Sequence, residues 1–161
     1  MTAEIDIFDQ KIINVLASQG RISVTALANI IGLSKSPTQA RLKRLEEGGV
    51  IRGYRAMFDP IQLGKDHVAF AEIRLEKASE KNFDQFNQDI DAIPEVEECH
   101  LIAGSFDYLL KIRTKDMNAY RVLLARRLSV LPNVAHVTSH IAMQSVKECN
   151  MATKALMPCK A

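Results

Sequence analysis

Basic and small polar side chains recur at helical spacing in the stretch GLSKSPTQARLKRLEEGGVIRGY, residues 32–54. Cations on this stretch can bind phosphate, and Gln39 can hydrogen-bond to the edge of a base. Six basic residues and two acidic ones lie from position 34 to position 55. This excess of positive charge indicates a site for a polyanion, although a solvated helix face would show the same charge. The cations are Lys35, Arg41, Lys43, Arg44, Arg52 and Arg55.

A helix over residues 35–47 would have two different faces. At ~100° per residue, Thr38, Leu42 and Leu45 share one face, which we expect to dock on neighbouring helices. The opposite face is small, polar and basic, and small side chains allow the close approach that the major groove of DNA requires. That outward face comprises Ser36, Gln39, Ala40, Lys43 and Arg44, with Lys35 and Arg41 flanking it.

Two positions are open for the start of this helix. Ser34 can cap it. Alternatively, Ser36 can cap it with Pro37 at the first helical position and Gln39 completing a capping box. In either frame the unpaired backbone N–H groups of the first turn favour a phosphate.

Gly48 and Gly49 end the helix, because glycine accepts the left-handed conformation of a C-cap. The basic and aromatic segment 50–58 follows at once. It is predicted to form a two-stranded wing, in which Arg52 and Arg55 are available to the DNA backbone. A recognition helix followed by a wing accounts for the whole basic stretch.

Two shorter helices must position the recognition helix. Asp6 can cap a first helix that ends at Gly20, and Ser23 can cap a second one that is closed by Gly32. Only two residues separate the second helix from the third, and a tight turn containing glycine is typical of a helix-turn-helix. The predicted inward residues are Phe8, Ile12, Val15 and Leu16 on the first helix, and Val24, Leu27, Ala28 and Ile31 on the second.

The pattern changes after the turn residues of segment 59–64. Strand and helix periodicities then alternate as βαββαβ, which predicts a ferredoxin-like unit with an antiparallel sheet and helices on one face. The fold class is therefore α+β. The predicted strands are 67–75, 96–102, 108–114 and 134–146, with helices from Ser79 to about Ile90 and over 117–131.

The domain organisation follows from these elements. We expect a winged helix-turn-helix domain over residues 1–58, a linker over 59–66 and a ligand-binding and oligomerisation domain over 67–150. Residues 151–161 form a tail in which little order is expected.

Enzyme chemistry has no convincing candidate in this sequence. The histidines His67, His100, His136 and His140 are scattered, and no ligand spacing joins them to Cys99. A metal site is therefore not expected. There is also no glycine-rich phosphate loop and no arrangement of a nucleophile with a base. The sequence predicts a protein that is not an enzyme and that needs no cofactor.

The three cysteines and the amino terminus indicate the compartment. Cys99, Cys149 and Cys159 are odd in number and far apart, which fits a reducing environment. The first residues have no secretory pattern, and no apolar run approaches the ~18 residues of a membrane-spanning helix. We expect a cytoplasmic protein.

The stretch IAGSFDYLLKIRT, residues 102–114, contains a second candidate site. Gly104 lets the backbone turn or lets a molecule approach it closely. Asp107 has two interpretations: it caps the turn, or it binds one charged end of a small zwitterion together with nearby backbone amides. Sequence physics alone does not choose between them.

Two motif sets resemble one family. The run GRISVTALANIIGLSKSPTQARLKRLEEGGVIRGYRAMFDPIQLG looks like the amino-terminal domain of the leucine-responsive/asparagine-synthesis (Lrp/AsnC) regulators of bacteria. ECHLIAGSFDYLLKIRTKDMNAYRVLL, followed by LPNV and VKE, looks like its effector domain, the RAM domain. The resemblance covers about residues 4–150. It implies DNA contacts at Lys35, Ser36, Thr38, Gln39, Arg41, Lys43 and Arg44.

The resemblance also implies partners. It implies dimers formed through the sheets, assembly into octamers or related oligomers, and an amino-acid effector bound between neighbouring effector domains. Here His140 replaces the aromatic residue that the leucine-responsive regulator has on its last strand. The positions that match the effector site are Leu101, Gly104, Asp107, Tyr108, Met117, His140, Ile141 and Ala142.

Within the family, the segments HVAF, EVEECHLIAGSFDYLLKIRT and LPNVAHVTS look most like activators of proline utilisation, and the leucine-responsive regulator is nearly as similar. The expected function is a sequence-specific transcriptional regulator that responds to proline or leucine. It would activate an amino-acid catabolic gene such as that for proline dehydrogenase. The alternative is a nucleoid-organising DNA-binding protein without a specific effector.

Overall fold

The computed structural model describes residues 4–148 of the 161-residue chain. They form two compact units, which divide between Met57 and Phe58 and again after Val146. The predicted tail 151–161 lies outside the described residues. The predicted domain boundaries at 58 and 67 are not tested separately and stay predictions.

The first unit begins with three helices: α1 (Ile7–Ser18), α2 (Val24–Ile31) and α3 (Lys35–Glu47). Asp6 caps α1 in a reciprocal capping box with Asp9. The Ser23 side chain caps α2 by accepting a hydrogen bond from the Ala26 amide, and Gly32 ends this helix in the left-handed conformation at φ 78°. α1 ends at Ser18 rather than at the predicted Gly20.

The core of this unit explains how the three helices hold one another. Ile12 of α1, Leu27 and Ile31 of α2 and Leu45 of α3 are buried together. Each lies on the apolar face that helical periodicity predicts. Burying side chains of this size stabilises the unit by roughly 1.5–3 kcal/mol each.

The start of α3 is settled by its backbone. Ser34 is the N-cap, and the Thr38 amide donates to its carbonyl oxygen at 3.3 Å. The alternative start at Ser36 is therefore wrong. The Ser34 side chain makes no capping hydrogen bond. At the other end Gly49, at φ 69°, supplies the left-handed residue that ends the helix.

The predicted two-stranded wing over residues 50–58 is not formed as a strand pair in the described chain. Backbone hydrogen bonding after α3 turns back onto the helix instead: the Ile51 amide donates to Leu45 O at 3.0 Å. The Tyr54 hydroxyl also donates to Glu46 Oε1 at 2.8 Å. The segment after the recognition helix is thus extended and tied to α3 rather than to a second strand.

The second unit is a four-stranded antiparallel sheet with helices on one face. The order of strands in the sheet is β2-β3-β1-β4, as a ferredoxin-like βαββαβ unit requires. The elements are β1 (His67–Leu75), α4 (Glu80–Asp91), β2 (Val96–Leu101), β3 (Tyr108–Thr114), α5 (Met117–Leu123) and β4 (Val134–Ile141).

Alternation along β1 separates the core face from the open face. Ala69, Ala71 and Ile73 are fully buried, while Phe70 between them is exposed. The buried set packs with Phe86 of α4 and Tyr120 of α5. This is the alternation predicted for the strand, and it leaves the other face of the sheet uncovered by any helix of the same unit.

Three predicted elements of this unit are too long, the strand 96–102 by one residue, since β2 ends at Leu101. The helix predicted over 117–131 is α-helical only to Leu123 and continues as a π-helical turn, Leu124–Leu128. The strand predicted to reach Val146 ends at Ile141. Its last bond to β1 runs from the Ala142 amide to Val68 O at 3.0 Å, close to the first residue of β1, His67.

Candidate nucleic-acid interface and ligand site

One side of α3 is open to solvent along its whole length. The exposed residues include small, polar and cationic side chains in the order predicted for a groove-binding face. Lys43 is 72% exposed, and its Nζ lies 3.5 Å from Glu47 Oε1 one turn later. The exposed set includes Lys35, Ser36, Pro37, Gln39, Ala40, Lys43 and Arg44.

Thr38 does not belong to this surface. Its side chain is fully buried, and its Oγ1 donates to Ser34 O at 2.9 Å. The prediction that Thr38 contacts DNA is therefore wrong. It stabilises the first turn of α3 and faces the helical core.

Arg41 and Arg44 face α1 and bind its acidic first turn. Arg41 Nη1 donates to Asp6 Oδ2 at 2.5 Å and to Asp9 Oδ1 at 3.0 Å. Arg44 Nη2 donates to Asp9 Oδ2. The Arg41 guanidinium also lies 5.4 Å from the centre of the Phe8 ring, within the range of a cation–π contact. Both arginines thus have protein partners that the sequence did not predict.

The proton equilibria of this cluster favour the charged forms. Hydrogen bonding by the Asp9 amide, followed by that of Arg41, lowers the pKa of Asp6. Hydrogen bonds to Asp6 and then Asp9 raise the pKa of Arg41. Asp6 and Asp9 together are called the acidic clamp.

The sequence does not predict the acidic clamp, because its partners, Arg41 and Arg44, are distant from it in the chain. The Asp-x-x-Asp spacing at the start of α1 indicates a helix cap, and Asp6 does cap. That spacing gives no sign that Asp9 is fully buried or that its partner lies 32 residues away.

The predicted wing arginines, Arg52 and Arg55, are exposed on the extended segment after α3. Between them Tyr54 is anchored to Glu46, and burial together with that hydrogen bond raises the pKa of Tyr54 to about 12. A neutral, anchored tyrosine fixes the middle of a segment whose two arginines are open to solvent.

The predicted effector residues fall into two groups. The first, which we call the turn cluster, lies between β2 and β3. Asp107 accepts a hydrogen bond from the Leu75 amide through Oδ2 at 2.7 Å, which ties the turn to the end of β1. The backbone N–H groups of residues 103–106 form no hydrogen bond within the described chain, so they remain able to donate to an anion. The turn cluster comprises Leu101, Gly104, Asp107 and Tyr108.

Tyr108 requires a correction. Its side chain is 1% exposed and packs on Phe86, with ring centres 4.3 Å apart, so it belongs to the core and not to an open pocket. Its hydroxyl has no hydrogen-bond partner among the described residues, and burial raises its pKa. The prediction that this side chain faces the effector is wrong for the described chain.

The second group, which we call the strand-end cluster, surrounds the end of β4 and the start of α5. His140 Nε2 lies 3.1 Å from Glu72 Oε1 on the open face of the sheet, and Ile141 is 40% exposed. Met117 is also exposed at the first position of α5. The strand-end cluster comprises Met117, His140, Ile141 and Ala142.

One chain does not bring the two clusters together. Tyr108 pairs with Ile73 near the end of β1, whereas Ile141 pairs with Ala69 near its beginning. Four residues of strand separate these positions by roughly 13 Å. The clusters also lie at opposite edges of the sheet, since Leu101 is on β2 and Ile141 on β4. A site that uses both clusters therefore needs more than one chain, because a single chain places only one of the clusters at any such site.

Other kinds of site find little support in residues 4–148. Within that range no three His, Cys, Asp or Glu side chains are grouped so that they could hold a metal ion. Nor does any helix in that range have the length and apolar character needed to cross a membrane. The thiol of Cys99 is half-buried in the sheet, and burial raises its pKa to about 11.

Comparison with known proteins identifies both units. Residues 68–152 match the Lrp/AsnC ligand binding domain, and residues 5–52 match a winged helix-turn-helix DNA-binding domain. The chain is 50% identical over 147 residues to a proline dehydrogenase transcriptional activator of Rhizobium radiobacter, covering 91% of this chain and 94% of that protein. It is 42% identical over 147 residues to a leucine-responsive regulatory protein of Klebsiella pneumoniae, covering 91% and 90%.

Solved structures agree with this assignment. A transcriptional regulator of Neisseria meningitidis in complex with L-Met superposes with a TM-score of 0.86 at 30% identity, covering 96% of this chain and 97% of that one. An AsnC family transcriptional regulator from Agrobacterium tumefaciens superposes with a TM-score of 0.84 at 31% identity, covering 89% and 93%.

Proposed function

The chain belongs to the Lrp/AsnC family and is an amino-acid-responsive, DNA-binding transcriptional regulator rather than an enzyme; on this premise we propose that its effector is L-proline and that it activates a gene of proline catabolism, such as that for proline dehydrogenase. The observation that carries this proposal is 50% and 49% identity, over both units, to two proline dehydrogenase transcriptional activators. The more distant leucine-responsive relative supports the same class of effector.

DNA binding is assigned to the exposed side of α3. Small residues at Ser36 and Ala40 allow the helix to enter the major groove, where Gln39 and Lys43 reach base edges. Lys35, at the first turn, adds positive charge beside the unpaired amides that favour phosphate. Dimers would place two such helices about one helical turn, ~34 Å, apart on a partly palindromic site.

The effector pocket is assigned to two copies of the chain. The turn cluster offers unpaired backbone amides for a carboxylate and Asp107 for an ammonium group, while the strand-end cluster offers the apolar side chains of Met117 and Ile141. Since one chain holds these clusters apart, we propose that a neighbouring copy supplies the second one. The L-Met complex of the Neisseria regulator supports a pocket for a small aliphatic amino acid.

Sharing the pocket gives the effector control over assembly. A ligand that contacts both copies binds the assembled form better than the separate one, and only such differential affinity shifts an equilibrium. We propose a dimer that assembles further into an octamer or a related oligomer. Because its partner is DNA, we place its action in the cytoplasm.

Thermal unfolding of the full chain with each common amino acid tests the effector. L-Proline should raise stability by about 2.7 kcal/mol at ~100 times its dissociation constant. Asp107→Asn is the matched variant, because its amide oxygen still accepts from the Leu75 amide while its negative charge is gone. This variant should keep its unfolding temperature without ligand and lose the shift with proline. If leucine raised the unfolding temperature of the parent chain and proline did not, the assignment of proline as the effector would be rejected.

Footprinting on the promoter of the proline dehydrogenase gene tests the target. Discrete protected segments spaced by one helical turn are expected, with a pattern that changes when proline is added. Uniform coverage without any response to an amino acid would instead support a nucleoid-organising protein.

A further inference from the structure

The acidic clamp is saturated with donors from its own domain. Asp6 Oδ1 accepts from the amides of Phe8 and Asp9 at 2.8 and 2.9 Å, and Oδ2 accepts from Arg41. Asp9 accepts from Arg41 on one oxygen, and on the other from Arg44 and from the Asp6 amide at 3.1 Å. Two carboxylates and two guanidiniums therefore form a cluster with no net charge, on the helix expected to meet DNA.

The two arginines differ in how firmly this cluster holds them. Asp9 is fully buried, and a buried carboxylate left without a cation is strongly destabilising. Arg41 is 27% exposed and contacts both acids, so it is held more firmly than Arg44. Arg44 is 55% exposed and reaches only Asp9, through one nitrogen, which leaves the other donors of its guanidinium available.

Both carboxylates of the clamp bind Arg41 through Nη1, so they compensate the charge that a phosphate would otherwise meet. A guanidinium pairs with carboxylate and phosphate oxygens in the same planar geometry. While both acids hold Arg41, its charge is already compensated, so a phosphate of the duplex gains less from this arginine. The recognition helix thus presents less positive charge than its sequence suggests.

We propose that Asp6 is a specificity-determining residue for DNA binding: together with Asp9 it occupies Arg41 in place of phosphate and so limits sequence-independent affinity. Phosphate contacts carry no sequence information, so withholding one weakens binding to any duplex while the base contacts of α3 are kept. This inference rests on the proposed docking of α3.

Asp6→Asn isolates the charge, because asparagine caps a helix as well as aspartate does. Binding of the full chain to a labelled random-sequence duplex of about 30 base pairs, roughly three helical turns, is measured from about 50 to 200 mM salt. One added phosphate contact steepens the log–log salt dependence by ~0.9, which is roughly a threefold change over that range. Asp6→Asn should therefore bind more tightly at low salt and show a steeper slope.

Glu4→Gln is the matched control, since it removes the same charge two residues earlier from an exposed side chain. If Asp6→Asn and Glu4→Gln strengthened binding to the duplex equally, the effect would come from net charge alone, and the inference would be overturned. Unchanged or weaker binding by Asp6→Asn would also overturn it. Asp6→Asn should also add nothing in an Arg41→Gln background. A gain that persists there would show that it does not act through Arg41.

Lys43→Ala separates failure of this inference from failure of the docking. If Lys43→Ala weakens binding to the random duplex and Asp6→Asn does not strengthen it, the role of Asp6 is rejected and the docking of α3 is kept. If Lys43→Ala has no effect either, α3 is not the docking surface, and both proposals fall. Circular dichroism of each variant, expected to match that of the parent chain, verifies that the helices are intact.

Discussion

Asp9, in the first turn of α1, accepts a 3.0 Å hydrogen bond from Arg41 on α3, although 32 residues separate them in sequence. The carboxylate is fully buried, so it cannot exchange this partner for water. The contact joins the first turn of α1 to the middle of the recognition helix.

Asp9→Ala should destabilise the first unit by about 2–4 kcal/mol. It removes the acceptor of Arg41, of Arg44 and of the Asp6 amide in one step. Hydrogen exchange of the α1 and α3 amides under native conditions measures this unit specifically. Asp91→Ala, at an exposed position on α4, should change stability by no more than ~0.5 kcal/mol. Equal exchange in the parent chain and in Asp9→Ala would contradict the bridging role.

The first unit should lose stability in acid through Asp6. Its pKa in the folded chain lies below the ordinary value of 3.8, so its contribution is fully present above that value and is lost as the pH falls through the lower folded pKa. The stability difference between the parent chain and Asp6→Asn should be constant near neutral pH and shrink below about pH 4. Urea titrations from neutral pH down to about pH 3 measure it. A difference that does not depend on pH would show that Asp6 is not held in its ionised form.

Lys43→Ala combined with Arg44→Ala should weaken binding to duplex DNA and flatten its salt dependence. The slope should fall by ~0.9 for each phosphate that the variant no longer neutralises, so by at most ~1.8 per recognition helix. Fluorescence anisotropy over a range of salt measures both quantities. Lys81→Ala with Arg126→Ala removes the same charge from exposed positions of the second unit and should leave the slope unchanged. Unchanged binding in the α3 variant would show that another face docks.

Two effector-site variants that fail singly should complement each other. Asp107→Asn disables the turn cluster, and Ile141→Asp disables the strand-end cluster. If each pocket takes one cluster from each of two copies, random mixing leaves about a quarter of the pockets with both clusters intact. Isothermal titration of the co-refolded mixture with proline should recover that fraction. If both clusters of a pocket came from one chain, every pocket would carry one damaged cluster, so no recovery at all would contradict the shared pocket.

Cys99 should be inert in the native protein. With a pKa of about 11, its thiolate fraction at pH 8 is on the order of one in a thousand. Alkylation by iodoacetamide, followed by peptide mass spectrometry, should find this residue unmodified in the native chain and modified in urea. Rapid native labelling would mean that the sheet around β2 opens readily.

Local periodicity was sufficient for most of the fold. Alternation placed β1 and β3 at their observed bounds, and the caps at Asp6 and Ser23 follow from residues within one turn. The predicted bounds were wrong where hydrogen bonds to another segment of the chain determine the end of an element. β4 ends at Ile141, where its pairing with Ala69 of β1 ends, and segment 50–58 is not a hairpin because its hydrogen bonds return to α3. Such facts depend on where another part of the chain lies.

The candidate site shows the same limit. Sequence pattern identified the exposed positions of α3 correctly, since a helical wheel separates Gln39 and Lys43 from Leu45. It treated Arg41 and Arg44 as simple cations, because charge alone does not reveal that buried Asp9 binds them. Burial of Tyr108 likewise arises from Phe86 on a different element, which no local pattern contains.

The division of α3 into a bound side and an open side has a consequence for how new operator preferences arise. Thr38, Arg41 and Leu45 are committed to the fold, so changes there are removed by instability before they can alter sequence preference. The open positions carry no such constraint. A duplicated gene can therefore accumulate many substitutions at these positions while the protein that it encodes still folds. A combinatorial library limited to Lys35, Ser36, Gln39, Ala40 and Lys43 should therefore be rich in folded proteins and is the shortest route to regulators that read other promoters.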